Sequence, residues 1–345
     1  MVSTCEGKLG KKQSQDLDKH PIAETAEFSA SVPVIDVGGS RGDPDKGTIK
    51  EIAEACGDWG FFQVVNHGVP EELIDAVWCH TRHFFRLPRN TKESILRTRE
   101  NPWGYYNNEL TKNQRDKKEV FDYTTEGTDP IYGSENRWLD SDDGFRAAML
   151  AYLDGCTDLS LRLLEAFCTG LDLPADYLRK YFVPQHTGFV RLNFYPVEDP
   201  MAAANDDLPG ADLGVHHHTD AGALTILLQD QVGGLQVHRD DRWHDIPPVD
   251  GAFVINTGDM MQVWSNDIYQ AATHRVLAMD RCDRYSIPFF FNPAAAARVR
   301  PLPTVISDSR PCAYQAIDWA EFRGKRTDGD YADYGSEVQI SQFRL

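Results

Sequence analysis

At 345 residues and 41% hydrophobic content, the chain is long enough to bury a sizeable core and short for several large domains, so one elaborated domain is expected. A formal net charge of −18 repels phosphate backbones and anionic lipid, which argues against nucleic acid or a membrane surface as partner. Seven scattered cysteines without a C-x-x-C pair argue against a disulfide framework and a thiolate zinc site, and no apolar run of about 18 residues is present, so a cytoplasmic protein with reduced thiols is the expectation.

In chain order, residues 1–30 are polar and lack the apolar mass to offset their ordering entropy, which predicts a mobile tail. Residues 32–36 read as a short strand, 47–58 as a helix, and 59–65 (WGFFQVV) as a buried strand closed by the turn Asn66-His-Gly. A helix follows over 71–85. Residues 100–137, rich in Asn, Asp, Tyr and Gly, read as long loops with one strand at 120–123. A strong helix over 143–170 repeats its apolar residues Met149, Leu153, Leu159, Leu163, Leu164 and Phe167 at helical spacing, and Pro174 opens a short helix to Tyr181.

From about residue 186 the pattern changes. Short β-type runs recur at 190–195, 223–228, 235–238, 252–256, 260–264, 272–277 and 285–291, separated by turns such as Val232-Gly-Gly. Closely spaced strands with turn signals predict a sandwich or barrel. The predicted fold is therefore a mostly β core with flanking α, followed by a last forty residues that mix helix signals with a polar tail.

The chemistry-bearing run is VHHHTD, 215–220. A histidine two residues before a carboxylate shares its face on a strand, because side chains alternate with period two. His218 and Asp220 have this spacing; His216 and His218 have it too, and three consecutive histidines also suit a surface cluster. His274 is the candidate third ligand, although a lone histidine often serves structure alone. Two histidines and one carboxylate leave three open positions on an octahedron, the facial arrangement of iron(II) oxygen chemistry, whereas a closed zinc site would take four protein ligands. Ten residues on, Arg284 and Ser286 share a face. A guanidinium fork beside a hydroxyl suits the distal carboxylate of a small diacid; a salt bridge to an aspartate is the alternative.

These residues lie within longer matches. DWGFFQVVNHGVP (58–70), FFRLP (84–88), KEVFD (118–122), RLNFYP (191–196), HTDAGALT (218–225), QDQVGGLQV (229–237), NTGD (256–259), Ser265-Asn266, HRV (274–276) and RYS (284–286) together resemble the iron(II)/2-oxoglutarate-dependent dioxygenases of the isopenicillin N synthase-like type, in order from about residue 32 to 295. The resemblance implies a double-stranded β-helix, a distorted jelly roll buttressed by N-terminal helices. It divides the chain into a tail (1–30), an N-terminal helical and mixed region (31–180), a jelly-roll core (181–300) and a C-terminal segment (301–345) that closes the substrate pocket.

The resemblance assigns iron to His218, Asp220 and His274 over His216. It assigns 2-oxoglutarate to Arg284 and Ser286, with Tyr195 and Asn193 helping from one face of a strand. Phe194 departs from the tyrosine many relatives carry, at a position facing away from the cosubstrate. The implied reaction takes dioxygen and 2-oxoglutarate, releases succinate and CO2, and hydroxylates, desaturates or cyclises a small organic molecule. For the pocket, Phe121, Tyr123, Tyr105, Tyr106 and Phe291 are candidates, and an aromatic lining would suit a flat ligand; a flavanone of specialised metabolism is the single best guess. A monomer is expected. The competing readings are an oxidase of the same fold that does not use 2-oxoglutarate and a non-catalytic member that holds a small ligand.

Overall fold

The computed structural model describes residues 31–38, 45–140, 143–199, 213–329 and 337–345; the expected tail, 1–30, lies outside them. The elements that frame the site are β1 (Val34–Asp36), α1 (Lys46–Asp58), β2 (Phe61–Val65), α2 (Glu71–Arg86), α3 (Arg89–Glu93), β3 (Gly104–Tyr106), β4 (Glu119–Thr124), α4 (Asp143–Gly170), β5 (Phe189–Tyr195), β6 (Leu213–His218), β7 (Leu224–Gln229), β8 (Leu235–Arg239), β9 (Arg242–Asp245), β10 (Phe253–Thr257), α5 (Asp259–Trp264), β11 (His274–Leu277), β12 (Arg284–Phe291) and α6 (Trp319–Gly329). An eight-stranded sheet runs β1-β2-β10-β7-β12-β5-β4-β3, and a four-stranded sheet runs β9-β8-β11-β6. All these neighbours pair antiparallel except β1 and β2. The fold is a double-stranded β-helix, with the small sheet facing one side of the large one and helices covering the other.

Period-two alternation sorts the large sheet's side chains between two buried faces. On β12, Tyr285, Ile287, Phe289 and Phe291 join the core that α1, α2 and α4 complete. The alternate residues Arg284, Ser286, Pro288 and Phe290 turn to the space between the sheets. On β5, Val190 and Leu192 face the helices, while Arg191, Asn193 and Tyr195 face the inter-sheet space. A second, smaller core of Phe61, Leu227, Leu235, Val237, Val254 and Val276 closes part of that space. What remains is a cavity whose wall combines several of these apolar side chains with polar groups from both sheets.

Two local expectations are corrected. Residues 260–264, expected as a strand, form helix α5. Met260, Met261, Val263 and Trp264 are all fully buried, and a short helix buried all round shows the same continuous apolar run as a buried strand. Residues 100–137 carry more strand than expected: β3 pairs with β4, and Leu110–Thr111 pairs with Gln114–Arg115 across Lys112 and Asn113, both at positive φ. Positive φ at both central positions is the tight hairpin turn normally marked by Asn-Gly, and Lys-Asn carries no such mark.

Candidate active site

The triad is assembled by strand register. On the small sheet, His274 at the start of β11 pairs directly with His218 at the end of β6, which brings their rings to 4.2 Å between centroids. Asp220 lies two residues on, in the turn before β7. One ligand atom from each of His218, Asp220 and His274 lies within 4.8 Å of the others, and both histidine Nε2 atoms stand 3.6 Å from Asp220 Oδ1.

The surroundings fix which atoms face inward. Nδ1 of His218 lies 2.8 Å from the His216 carbonyl, and Nδ1 of His274 lies 3.1 Å from the Ala272 carbonyl. A carbonyl only accepts, so both Nδ1 atoms carry the proton and both Nε2 lone pairs face Asp220. The Thr225 hydroxyl (2.5 Å) and the Asn256 amide (2.7 Å) donate to Asp220 Oδ2, leaving Oδ1 toward the histidines. Burial opposes the Asp220 charge, but His274, His218 and Thr225 outweigh it and hold the carboxyl below its usual range. Burial, with His218 adding repulsion, pushes His274 down to about 4, so the ring is neutral near pH 7 and its nitrogen is available to a cation.

The loop that carries Asp220 is clamped from two further sides. The first amides of α5 have no partner within their own helix, and Gly258, Asp259 and Met260 donate theirs to the carbonyls of Ala223, Asp220 and Gly222. A Cβ at Gly258 would stand 2.4 Å from the Gly222 carbonyl oxygen, so the approach requires glycine. From α6, Arg326 donates to the Thr219 carbonyl at 2.6 Å and pairs with Glu337 at 3.1 Å.

His216 is engaged elsewhere. Its backbone N–H and its Nδ1 meet Asp116 at 3.1 and 2.9 Å. Asp116 also pairs with Lys118, which pairs with Glu109, which in turn accepts from Arg97 and Arg191. Burial disfavours the charge on Glu109, but Arg191, Lys118 and Arg97 prevail and hold it well below the usual carboxylate range. None of this network stands out in the sequence. Its only signal is the density of charges in KEVFD, a run that otherwise reads as a strand.

Arg284 is fully buried and its guanidinium lies 4.9 Å over the Tyr195 ring. One nitrogen donates to Gln229 at 3.3 Å; Nε and Nη1 have no hydrogen-bond partner. The salt-bridge alternative is absent among the described residues: the neighbouring Asp230 accepts from the amides of Val232 and Tyr285 instead. The Asn193 amide donates to the Ser286 hydroxyl at 3.3 Å, and Asn193 Oδ1 is also unpartnered. Arg284, Ser286, Asn193 and Tyr195 line one cavity of about 80 Å³ with His218, Asp220 and His274. Unpaired nitrogens on a buried cation are costly, so the donor set fits an anion that completes it, within reach of a metal-sized gap.

An adjoining cavity of about 110 Å³ shares Lys118, Arg191, Val215, His218, Asp220 and Phe290 with the first, and its outer wall includes Arg323, Arg326 and Glu337 from the C-terminal segment. The five aromatic residues expected there line neither cavity, and this corrects their assignment to the pocket; the aromatic side chains in the walls are Phe61, Tyr195, Phe189 and Phe290. Phe121, Tyr123, Tyr105 and Phe291 lie in the core on the helix side of the large sheet. Register explains it: Tyr105 pairs with Phe121, Phe121 with Leu192 and Tyr123 with Val190, and those β5 residues face the helices. Tyr106 turns the other way and packs under Arg97 at 4.6 Å.

Comparison with known proteins gives two family matches. The 2OG-Fe(II) oxygenase superfamily matches residues 186–293, and the non-haem dioxygenase in morphine synthesis N-terminal family matches residues 32–141. Jasmonate-induced oxygenase 2 of Arabidopsis thaliana is 34% identical, over 92% of this chain and 85% of that protein. Flavanone 3-dioxygenase of Petroselinum crispum is 35% identical, over 94% and 87%. Among solved structures, JOX2 in complex with 2OG, Fe and JA superposes with a TM-score of 0.75 at 31% identity, covering 88% of this chain and 87% of that one. A full-length Neurospora crassa protein in complex with alpha-KG gives 0.74 at 25%, covering 86% and 96%.

Proposed function

This chain belongs to the 2OG-Fe(II) oxygenase superfamily, enzymes that use iron(II), 2-oxoglutarate and dioxygen, and we propose that it holds iron through His218, Asp220 and His274 and 2-oxoglutarate through Arg284 and Ser286. The single observation that carries the second assignment is the buried Arg284 guanidinium with two unpartnered nitrogens in the same cavity as the triad. When bound, the metal and cosubstrate supply oxidative decarboxylation to succinate and CO2 coupled to oxidation of a substrate C–H bond.

The chain's own residues bind, orient and exclude water. Nε2 of His218, Nε2 of His274 and Oδ1 of Asp220 would take three coordination positions on one side, leaving the remainder toward the cavity. Thr225 and Asn256 occupy Asp220 Oδ2, so Asp220 would offer a metal its Oδ1. Arg284 and Ser286 would grip the distal carboxylate, with Asn193 and Tyr195 fixing its walls. The C-terminal segment, 301–345, closes the substrate side in this reading, supported by Arg323, Arg326 and Glu337 in the outer wall.

The test is succinate release from 2-oxoglutarate with and without Arg284. Arg284→Met removes charge-assisted hydrogen bonds and is expected to raise the KM for 2-oxoglutarate by roughly 100-fold or more. Turnover of an organic substrate without succinate would overturn the reading in favour of an oxidase of the same fold. For that substrate, a flavanone has support in the name of the 35% identical relative, and a product heavier by one oxygen or lighter by two hydrogens separates hydroxylation from desaturation or ring closure. The aromatic side chains that could face a flavanone there are Phe189 and Phe290, since the five expected ones lie elsewhere.

A further inference from the structure

The outer cavity carries four cationic side chains: Lys118, Arg191, Arg323 and Arg326. Three have a carboxylate at hand: Lys118 meets Glu109 at 2.6 Å, Arg191 meets Asp122 at 2.7 Å and Arg326 meets Glu337 at 3.1 Å. Arg323 has none within ion-pair distance among the described residues. Asp129, a carboxylate that interacts with its charge, stands beyond ion-pair distance and accepts the amides of Ile131 and Tyr132 on Oδ1.

Arg323 is nonetheless held in place. Its guanidinium lies 4.8 Å over the Phe189 ring, Phe189 stacks on Phe290 at 4.7 Å, and both rings line the same cavity. Stacking on an aromatic face orients a guanidinium without consuming its donors. The wall therefore presents a pre-oriented cation that makes no direct ion pair among the described residues. It comes from helix α6, and His218 and Asp220 line the same space.

We propose that Arg323 binds a carboxylate of the organic substrate, so that the enzyme acts on a small organic monoacid whose acid group docks at α6 while its reacting carbon lies toward the triad. A carboxylate matches the guanidinium fork and its single charge. A phosphate dianion would carry excess negative charge beside Glu109 and Glu337. This inference rests on the reading of the chain as an iron(II)/2-oxoglutarate oxygenase and names the substrate class of that site.

The test uses the full chain with iron(II) and 2-oxoglutarate and a panel of aryl and alicyclic carboxylic acids, each paired with its methyl ester, with naringenin as a neutral flavanone. Succinate release above the substrate-free rate and ligand-induced shift in Tm are read for each. Acids are expected to stimulate and stabilise where their esters do not. Arg323→Gln should raise the KM for the active acid roughly 10- to 100-fold with a smaller change in kcat, Arg323→Lys should recover part of the loss, and Arg323→Glu should abolish the preference for acid over ester. Esters or naringenin equalling the acids, no acid acting at all, or an Arg323→Gln enzyme with unchanged KM would each overturn the proposal. Failure of the underlying reading is separately visible, as absence of any succinate from 2-oxoglutarate in the unaltered enzyme.

Discussion

Asn256 and Thr225 illustrate how much the proposed metal site depends on residues outside the triad. Their two hydrogen bonds fix one oxygen of Asp220 and leave the other free. Asn256→Ala removes one of them, and the expected outcome is an iron affinity lower by roughly 10- to 100-fold, read by competition with a chelator, with little change in overall stability. The ligand triad is legible in sequence because a two-residue spacing has a direct geometric meaning on a strand. Spacing does not choose between His216 and His218, since both share a face; the family resemblance favours His218, and the Asp116 carboxylate, a hundred residues upstream, shows that His216 is occupied. Arg284 is legible as a cation in an apolar run, but its lack of a protein partner is a property of three dimensions.

His186 offers a second test at this scale. Its Nδ1 accepts from the Gly188 amide and its Nε2 meets the Thr157 hydroxyl, so the ring is neutral with the proton on Nε2. Burial lowers its pKa from 6.5 to about 4. The unfolded chain then binds a proton below about pH 6.5 that the folded chain refuses until about pH 4, so stability falls as the pH drops through this window, by up to ~3 kcal/mol. His186→Gln should flatten that part of the stability-versus-pH curve measured by urea unfolding; an unchanged slope would refute the assignment.

Among the elements, β4 and the hairpin before it carry the least legible feature, the chain of buried charges from Arg97 to His216. Lys118 stands between Glu109 and Asp116 with all three side chains buried. Lys118→Met would leave two buried carboxylates short of a partner, which is expected to cost ~3–5 kcal/mol in urea unfolding, whereas removing an exposed pair such as Arg146 with Glu126 should cost under about 1 kcal/mol. A strand written with alternating charges reads as half-exposed, and only the facing strand and hairpin make it buried. The long helices are legible throughout: α1, α2 and α4 fall within one or two residues of their periodic patterns. The 260–264 segment misleads for the opposite reason, since complete burial erases periodicity. Pro288, in the middle of β12, removes a ladder donor where central strands rarely allow it, and it sits on the face toward the cavity, where the chain gives up a hydrogen bond to shape a wall.

On the scale of the whole molecule, the two sheets meet across a space that mixes apolar side chains such as Phe61, Leu227 and Val276 with the triad and Arg284, and its outer wall is charged. Ligands that bridge this space bind the folded chain alone and should stabilise it: at a hundredfold excess over Kd, iron with 2-oxoglutarate should add about 2.7 kcal/mol, and a chelator should reverse the gain in Tm. Among the described residues no helix is long and apolar enough to cross a membrane. The overall architecture is legible from the succession of short strands after residue 186. The joining of β1 to β4 to the same large sheet is not, because strand neighbours distant in sequence leave no local mark.

The placement of the two grips on different sheets has one more consequence. The triad's histidines belong to the small sheet and Arg284 to the large one, so in the proposed binding mode the distance between the two ends of the cosubstrate would be set by backbone spacing and not by a side chain free to adjust. Such a gap is a gauge for carbon-chain length. A keto diacid one methylene shorter would reach only one jaw, and one a methylene longer would have to buckle. Oxaloacetate and 2-oxoadipate should therefore both be poor replacements for 2-oxoglutarate when product formation is followed, whatever the organic substrate proves to be.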